Sequence, residues 1–186
     1  MKHRKRLWIG LLGSLLSLYA GFAYGEDALS REYRIKAAFL YNFATFVQWP
    51  AHAFKDARSP LTLCVLGDDP FGAAFDRAIV GKTVAGRKMV VARFEDLQRL
   101  AACQILFISS SERNRLSKIF STLKGSSVLT VGDTDGFAHQ GGIINFTVEE
   151  NRIRFEINEH AAERAGLKIS SKLLNLAAIV PDTSGQ

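Results

Sequence analysis

Beyond its first twenty-five residues the chain is predicted to be an α/β protein, a mostly parallel sheet flanked by helices and closed by a C-terminal antiparallel β-hairpin. Three observations predict this. Short apolar runs alternate with helix-length amphipathic segments through the middle of the chain, as strands joined by crossover helices require. Near the end, two runs of apolar and polar alternation flank Glu149-Glu150-Asn151, which reads as a half-buried hairpin. The composition, 47% hydrophobic and 23% charged, is that of a globular chain with a sizeable core.

In chain order, residues 1–25 read as a secretory signal peptide. Basic Lys2, Arg4, Lys5 and Arg6 precede an uncharged apolar run from Leu7 to Ala20, then small Ala23 and Gly25 ahead of acidic Glu26 and Asp27, with cleavage expected after Gly25. An uncleaved span wants about 20 apolar residues, and this run is interrupted by Gly10, Gly13, Ser14 and Ser17. Residues 26–186 are then expected to form a single domain with no membrane span. The leader carries four Lys or Arg and no acid, so its removal takes the formal charge from +6 to +2. No basic cluster interleaved with aromatics remains, which argues against a nucleic-acid partner.

Export also changes how the two cysteines are read. Cys64 and Cys103 are candidates to pair in an oxidising compartment, closing a loop of about 40 residues worth roughly 4 kcal/mol on the chain-entropy account. Two buried free thiols acting as small core hydrophobes are the alternative.

Ser30 can cap a helix running to Gln48, ended by Trp49-Pro50 because the residue before proline is pushed out of the α region. Its apolar residues fall on two stripes, Tyr33, Ala37, Leu40, Tyr41, Ala44 and Val47 on one, Ile35, Phe39, Phe43 and Phe46 on the other. A helix this apolar is covered on most sides, by its own domain or in part by another protein. Strands follow at Leu61 to Leu66, Lys88 to Arg93, Gln104 to Ser109 and Ser127 to Val131, with helices at Phe71 to Ala78, Glu95 to Ala102 and Ser111 to Leu123. Ile144, Phe146 and Val148, then Ile153, Phe155 and Ile157, make the hairpin. Asn158 caps a short helix closed by Gly166, and Ser170 or Ser171 starts a last one through Ile179, stopped by Pro181.

Catalytic and metal motifs are missing from the pattern. Gly81-Lys82-Thr83 lacks the phosphate cradle of a P-loop, because Asp76 stands where its first glycine belongs. Asp68 and Asp69, at the end of an early strand, resemble the acidic site of a phosphoacceptor receiver, but Gly-Asp-Asp-Pro is also ordinary turn chemistry. His52, His139 and His160 have no metal-ligand spacing, and no GxSxG elbow is present. The expectation is no enzyme, no metal and no cofactor.

Five blocks then add up. REYRIKAAFLYNFATFVQWP, LTLCVLGDDPFG, CQILFISSSE, SVLTVGDTDGFAHQGGIINFTVEENRIRFEIN and AGLKISSKLLNLA, in this order and spacing behind a signal peptide, resemble the YfiR family over nearly the whole mature chain. The resemblance implies a small periplasmic α/β regulator that binds the periplasmic sensor portion of an inner-membrane diguanylate cyclase and holds it inactive, keeping cyclic-di-GMP synthesis and biofilm formation low. It also implies that Cys64 and Cys103 form the family's common disulfide, whose reduction would loosen the two strands it joins. A second C-terminal cysteine pair found in some relatives is absent, with Gly136, Gly141 and Gly142 in that region.

The expected partner-binding residues are Phe39, Phe43, Phe46 and Trp49 on the aromatic helix, with Asn145, Arg152 and Arg154 on the hairpin's polar face as second choice. A homodimer through the aromatic helix is a further candidate. The competing reading is a periplasmic small-molecule binding module with its pocket at the carboxyl ends of the strands, near Asp68, Asp69, Ser109 and Ser110.

Overall fold

A computed structural model of the chain describes residues 31–183; the expected leader and the cap at Ser30 lie outside the described residues. Helix α1 occupies residues 31–46. Ala37, Leu40, Phe43, Ala44 and Val47 recur at steps of three and four and are all buried, so the two expected stripes resolve into one. Phe39, Tyr41 and Phe46 lie half-buried at its margins.

The helix ends before the expected Gln48. Val47–Gln48 form strand β1, paired antiparallel with β9 (Lys168–Ile169). The cause is local: Trp49-Pro50 demands extended backbone, and the freed carbonyl of Phe46 accepts the N–H of Ser170 at 2.9 Å.

The remaining elements are β2 (Leu61–Leu66), α2 (Ala73–Ile79), β3 (Thr83–Val84), β4 (Arg87–Phe94), β5 (Ile105–Ile108), α3 (Leu116–Thr122), β6 (Leu129–Gly132), β7 (Ile144–Glu149), β8 (Arg152–Ile157), α4 (Glu159–Arg164), α5 (Ser171–Leu174) and β10 (Ala178–Ile179). Eight strands form one sheet in the order β10-β8-β7-β6-β5-β2-β4-β3. The run from β4 to β7 is parallel, and β7 with β8 makes the antiparallel hairpin. The fold class therefore agrees with the sequence reading.

Period-two alternation divides the core between the two faces of the sheet. Leu61, Leu63, Val65, Ile105, Phe107, Leu129 and Val131 join α1 and α2 in one apolar cluster. Cys64, Leu66, Leu106 and Ile108 join Leu116 and Ile119 of α3 in the other. Strands buried on both faces have no polar alternation, which is why they read as continuous apolar runs. The Cys64–Cys103 disulfide forms within the second cluster, with Cα atoms 6.0 Å apart. It ties β2 to the residue two positions before β5.

Three later helices are also shorter than expected. The segment Glu95 to Ala102 contains only a 3-10 turn, Leu100–Ala102, because the Asp96 carboxylate accepts the Gln98 N–H at 3.0 Å and offers the backbone a turn in place of a helix. Ser111 to Leu123 divides into a 3-10 segment, Ser110–Arg115, and α3. The last helix stops at Leu174 and Ala178–Ile179 join the sheet instead, parallel to β8, where the Val180 N–H reaches the Ile157 carbonyl at 3.0 Å. The end of the β8 edge, at Glu156 and Ile157, is paired this way.

One register shapes the molecule's surface. Only Val131 and Gly132 of β6 pair with β7, opposite Ile144 and Asn145, whereas β7 and β8 pair along their whole length from Ile144↔Ile157 to Glu149↔Arg152. The hairpin thus outruns the carboxyl edge of β6. Among the described residues no strand pairs with the β6-side edge of Phe146 to Glu149.

Candidate functional site

Five of the seven expected partner-binding residues retain some exposure; the other two are buried. Phe43 is fully buried, its ring 5.6 Å from Phe146 and 5.2 Å from Phe155. Asn145 is buried at the root of the hairpin and donates to Glu156 Oε2 at 3.1 Å. Both are corrections to a docking role in the folded state. Phe43 falls on the α1 stripe that faces the sheet, and Asn145 sits where β7 is still flanked by β6.

Trp49 is half-buried and structural, since its indole N–H donates to the Gln104 carbonyl at 3.1 Å. Gln104 completes the clasp by donating to the Ala53 carbonyl at 2.7 Å and accepting the Thr62 N–H at 2.8 Å. Phe46 is half-buried.

Arg152 and Arg154 are exposed and lie on one side of the hairpin, opposite Glu149 and Thr147 in register. Its other side carries Phe146, Val148, Ile153 and Phe155. Phe39 of α1 packs there, 6.0 Å from Phe146 and 5.7 Å from Phe155. Val148, 54% exposed, extends this apolar side into solvent. The structure therefore joins Phe39, Arg152 and Arg154 around the hairpin, leaving Trp49 engaged elsewhere.

The alternative ligand residues sit where the strand order reverses, between β2 and β5. Ligands of open α/β sheets bind at such a place. Here, however, it is filled: Ser111 Oγ accepts the Asp68 N–H at 3.0 Å, and the side chains of Ser111 and Glu112 press on Gly67 so closely that a Cβ there would not fit. Asp69 accepts the Phe71 N–H at 2.8 Å and pairs with Arg93 at 2.7 Å. The hydroxyl of buried Ser109 caps the following 3-10 turn, and Ser110 is exposed. Arg93 also forks onto Asp76, whose carboxyl is held below its ordinary range chiefly by that hydrogen bond. The carboxylates of Asp69 and Asp76 serve the turn, and Asp68 is tied to it through its backbone N–H.

A charged cluster escaped the sequence reading. Lys36, on the buried stripe of α1, places its ammonium 2.7 Å from Asp133 and 2.6 Å from Glu32. Tyr33 donates to the same Asp133 Oδ2 at 2.8 Å while its ring meets Phe71 edge-on at 5.3 Å. Burial, then the neighbouring Asp133 charge, pushes the Tyr33 hydroxyl well above the usual phenol range. The first turns of α1 are thereby locked over the carboxyl end of β6. The signal was available: a lysine at a position of the apolar stripe needs a buried anion.

The nearest approach to a catalytic pair is Ser127 Oγ at 3.2 Å from His52 Nε2, exposed, with no carboxylate bonded to the far ring nitrogen among the described residues. A base without an orienting acid does not make a triad. Among the described residues no group of three His, Cys, Asp or Glu is placed to hold a metal, and no helix is long and apolar enough to cross a membrane.

A sequence model of the family DUF4154, described as YfiR/HmsC-like, matches residues 33–178. The chain belongs to the YfiR/HmsC-like family. The matched span runs from Tyr33 in the α1 lock to Ala178 in the last strand, so it contains the disulfide, the sheet and the hairpin. No curated protein matches the chain. Solved structures with a similar shape include a conserved domain protein from Vibrio cholerae O1 biovar El Tor (11% identity, TM-score 0.46, covering 64% of this chain and 54% of that one). Another is the ABC domain in complex with L-Trp from Streptococcus pneumoniae (10% identity, TM-score 0.48, covering 64% and 55%). The chain spans about half the length of these structures.

Proposed function

We infer that this YfiR-like protein is a periplasmic regulator, not an enzyme, that binds the periplasmic sensor part of an inner-membrane diguanylate cyclase and holds it inactive, lowering cyclic-di-GMP and biofilm formation. Membership of the YfiR/HmsC-like family carries the reading. A pairing of α/β regulator with membrane sensor needs no cofactor, only a surface whose affinity differs between the partner's two states. Swinging such a partner from 1:99 to 99:1 takes about 5.5 kcal/mol of differential affinity.

The surface that supports the reading best is the projecting hairpin. Exposed Val148 and half-buried Ile153 lie on one side, exposed Arg152 and Arg154 on the other, and Phe39 borders the apolar side. An apolar centre with an arginine rim is the composition from which binding hot spots are drawn.

Deleting the gene in its host and measuring cellular cyclic-di-GMP tests the regulator; a level unchanged under every growth condition overturns it. Capture from envelope extract with the wild-type protein or with a crosslinker placed at residue 152 tests the partner, and recovery of no inner-membrane sensor overturns that assignment.

A further inference from the structure

A cavity lies at the other end of the strands from the residues expected to bind a ligand, and its chemistry is specific enough to name a ligand class. It has a volume of about 700 Å³ and is open to solvent, within the 300 to 1,000 Å³ typical of small-molecule sites. Ser117, Phe120 and Ser121 of α3 form one wall, Ala161, Arg164 and Ala165 the other, and Val128, Thr130 and Ile143 the floor. The small residues on the facing helices keep the walls apart, and Phe120, Val128 and Ile143 make the interior apolar.

The Ser121 and Ser126 hydroxyls are spent on the Lys118 and Leu123 carbonyls, at 2.8 and 2.6 Å, so the donors left to a ligand are few. No carboxylate lines the cavity. Some of the carbonyls at the C-terminal ends of α3 and α4 are already bonded: Leu123 O accepts Ser126 N at 2.9 Å, Ala161 O accepts Ala165 N at 3.2 Å, and Ala162 O accepts Leu167 N at 3.0 Å. Arg164 is held by Asp182. Lys124, at the rim, has no ion pair among the described residues, and neither does the Gln140 amide have a hydrogen-bond partner there. Thr130 Oγ1 accepts the Ile143 N–H at 3.0 Å, which leaves its own hydroxyl proton to donate.

We propose that the groove between α3 and α4 is a binding site for a small monocarboxylate with an apolar tail, the tail over Phe120, Val128 and Ile143 and the carboxylate at Lys124. The site does not rest on the partner reading, and its failure leaves the hairpin untouched.

Octanoate is the probe, with acetate supplying the charge without the tail and octanamide the tail without the charge. Calorimetric titration and thermal unfolding of the purified protein should show saturable stabilisation by octanoate and none by acetate. Octanamide should bind about fivefold more weakly than octanoate, as loss of one exposed ion pair implies. Lys124→Ala should abolish that fivefold preference while leaving the melting temperature of the free protein unchanged. Ser121→Phe, at an exposed position of the wall, should fill the groove and remove octanoate binding; Ser117→Phe serves if that variant folds poorly. No saturable shift with octanoate, equal binding of octanoate and octanamide by the wild type, or undiminished binding by the folded phenylalanine variant would each overturn the site.

Discussion

Replacing Lys36 by methionine should destabilise the fold by about 3–5 kcal/mol, the cost of stranding a buried charge. The side chains of Lys36 and Asp133 are 4% and 5% exposed, so water cannot substitute for the lost ammonium. After the change Asp133 keeps only the Tyr33 hydroxyl on Oδ2, and its Oδ1 has no hydrogen-bond partner among the described residues. Asp133→Asn should cost distinctly less, because Lys36 retains Glu32 at 2.6 Å, a partner 30% exposed and able to bring water with it. The double variant should recover much of the loss, since an ion pair replaced as a unit is often near neutral. Urea unfolding of the four proteins gives the coupling energy directly, and the melting temperature of Lys36→Met should fall by about 10 °C for a chain of this size. A loss under 1 kcal/mol for Lys36→Met, or equal losses for the two single variants, would show that the cluster is solvated and that Glu32 is no substitute partner.

Three further outcomes follow from the same packing. Removing the Cys64–Cys103 bridge by paired alanines should lower stability by roughly 4 kcal/mol; with both residues at most 1% exposed, thiol trapping should find the native bridge resistant to mild reductant and reducible only in urea. Phe43→Ala should cost about 3–5 kcal/mol by opening a core cavity, whereas Arg154→Ala should stay within about 0.5 kcal/mol of wild type and weaken partner capture instead. Asp76 has a depressed carboxyl in the folded protein, so its contribution is present above the unfolded value of about 3.9 and is lost as pH falls through the lower folded one; Arg93→Gln should therefore reduce stability at neutral pH and flatten the acid side of a urea midpoint profile.

What was legible in the sequence is what repeats. Leu61 to Leu66 and the alternation on either side of Glu149 to Asn151 each state a strand through several residues at once, and both are found within a residue or two of their expected bounds. The caps at Asn158 and Ser170 are equally local, each side chain accepting an N–H of its own first turn. What failed depends on contacts distant in sequence. Nothing near Ala178 says that it will lie beside Glu156, and nothing near Val47 announces Ile169. Asp96 ended a helix with one side-chain bond that a periodicity count does not see. The site suffered most: Phe39 and Phe43 look alike as letters four apart, but the first lies at the margin of the buried stripe and the second at its centre. The lysine among them, Lys36, ties α1 to Asp133 at the end of β6.

The location of the proposed docking surface follows from which edges and faces the fold has already used. Both faces of the parallel strands are covered, one by α1 and α2 and the other by α3, and the bend between β2 and β5 is filled by Ser111 and Glu112. At one end of the sheet β10 covers Glu156 and Ile157 of the β8 edge, and at the other the two-residue β3 covers Lys88 and Arg87 of β4, leaving Met89 to Phe94 without a strand partner on that side among the described residues. The β6-side edge of β7 beyond Asn145 is also open, because β6 stops at Gly132 while β7 continues to Glu149, and it is the one flanked by the apolar side of the hairpin. Alternate residues of this four-residue stretch turn backbone groups to an edge with no strand partner among the described residues, beside a side chain as apolar and exposed as Val148. An edge of this kind takes a partner strand by main-chain pairing, with alternate side chains supplying specificity. If the sensor docks there, Val148→Asp should abolish capture with little change in stability, and Phe43→Ala should reduce capture only in proportion to the unfolded fraction; equal capture by Val148→Asp and wild type would remove the hairpin from the interface.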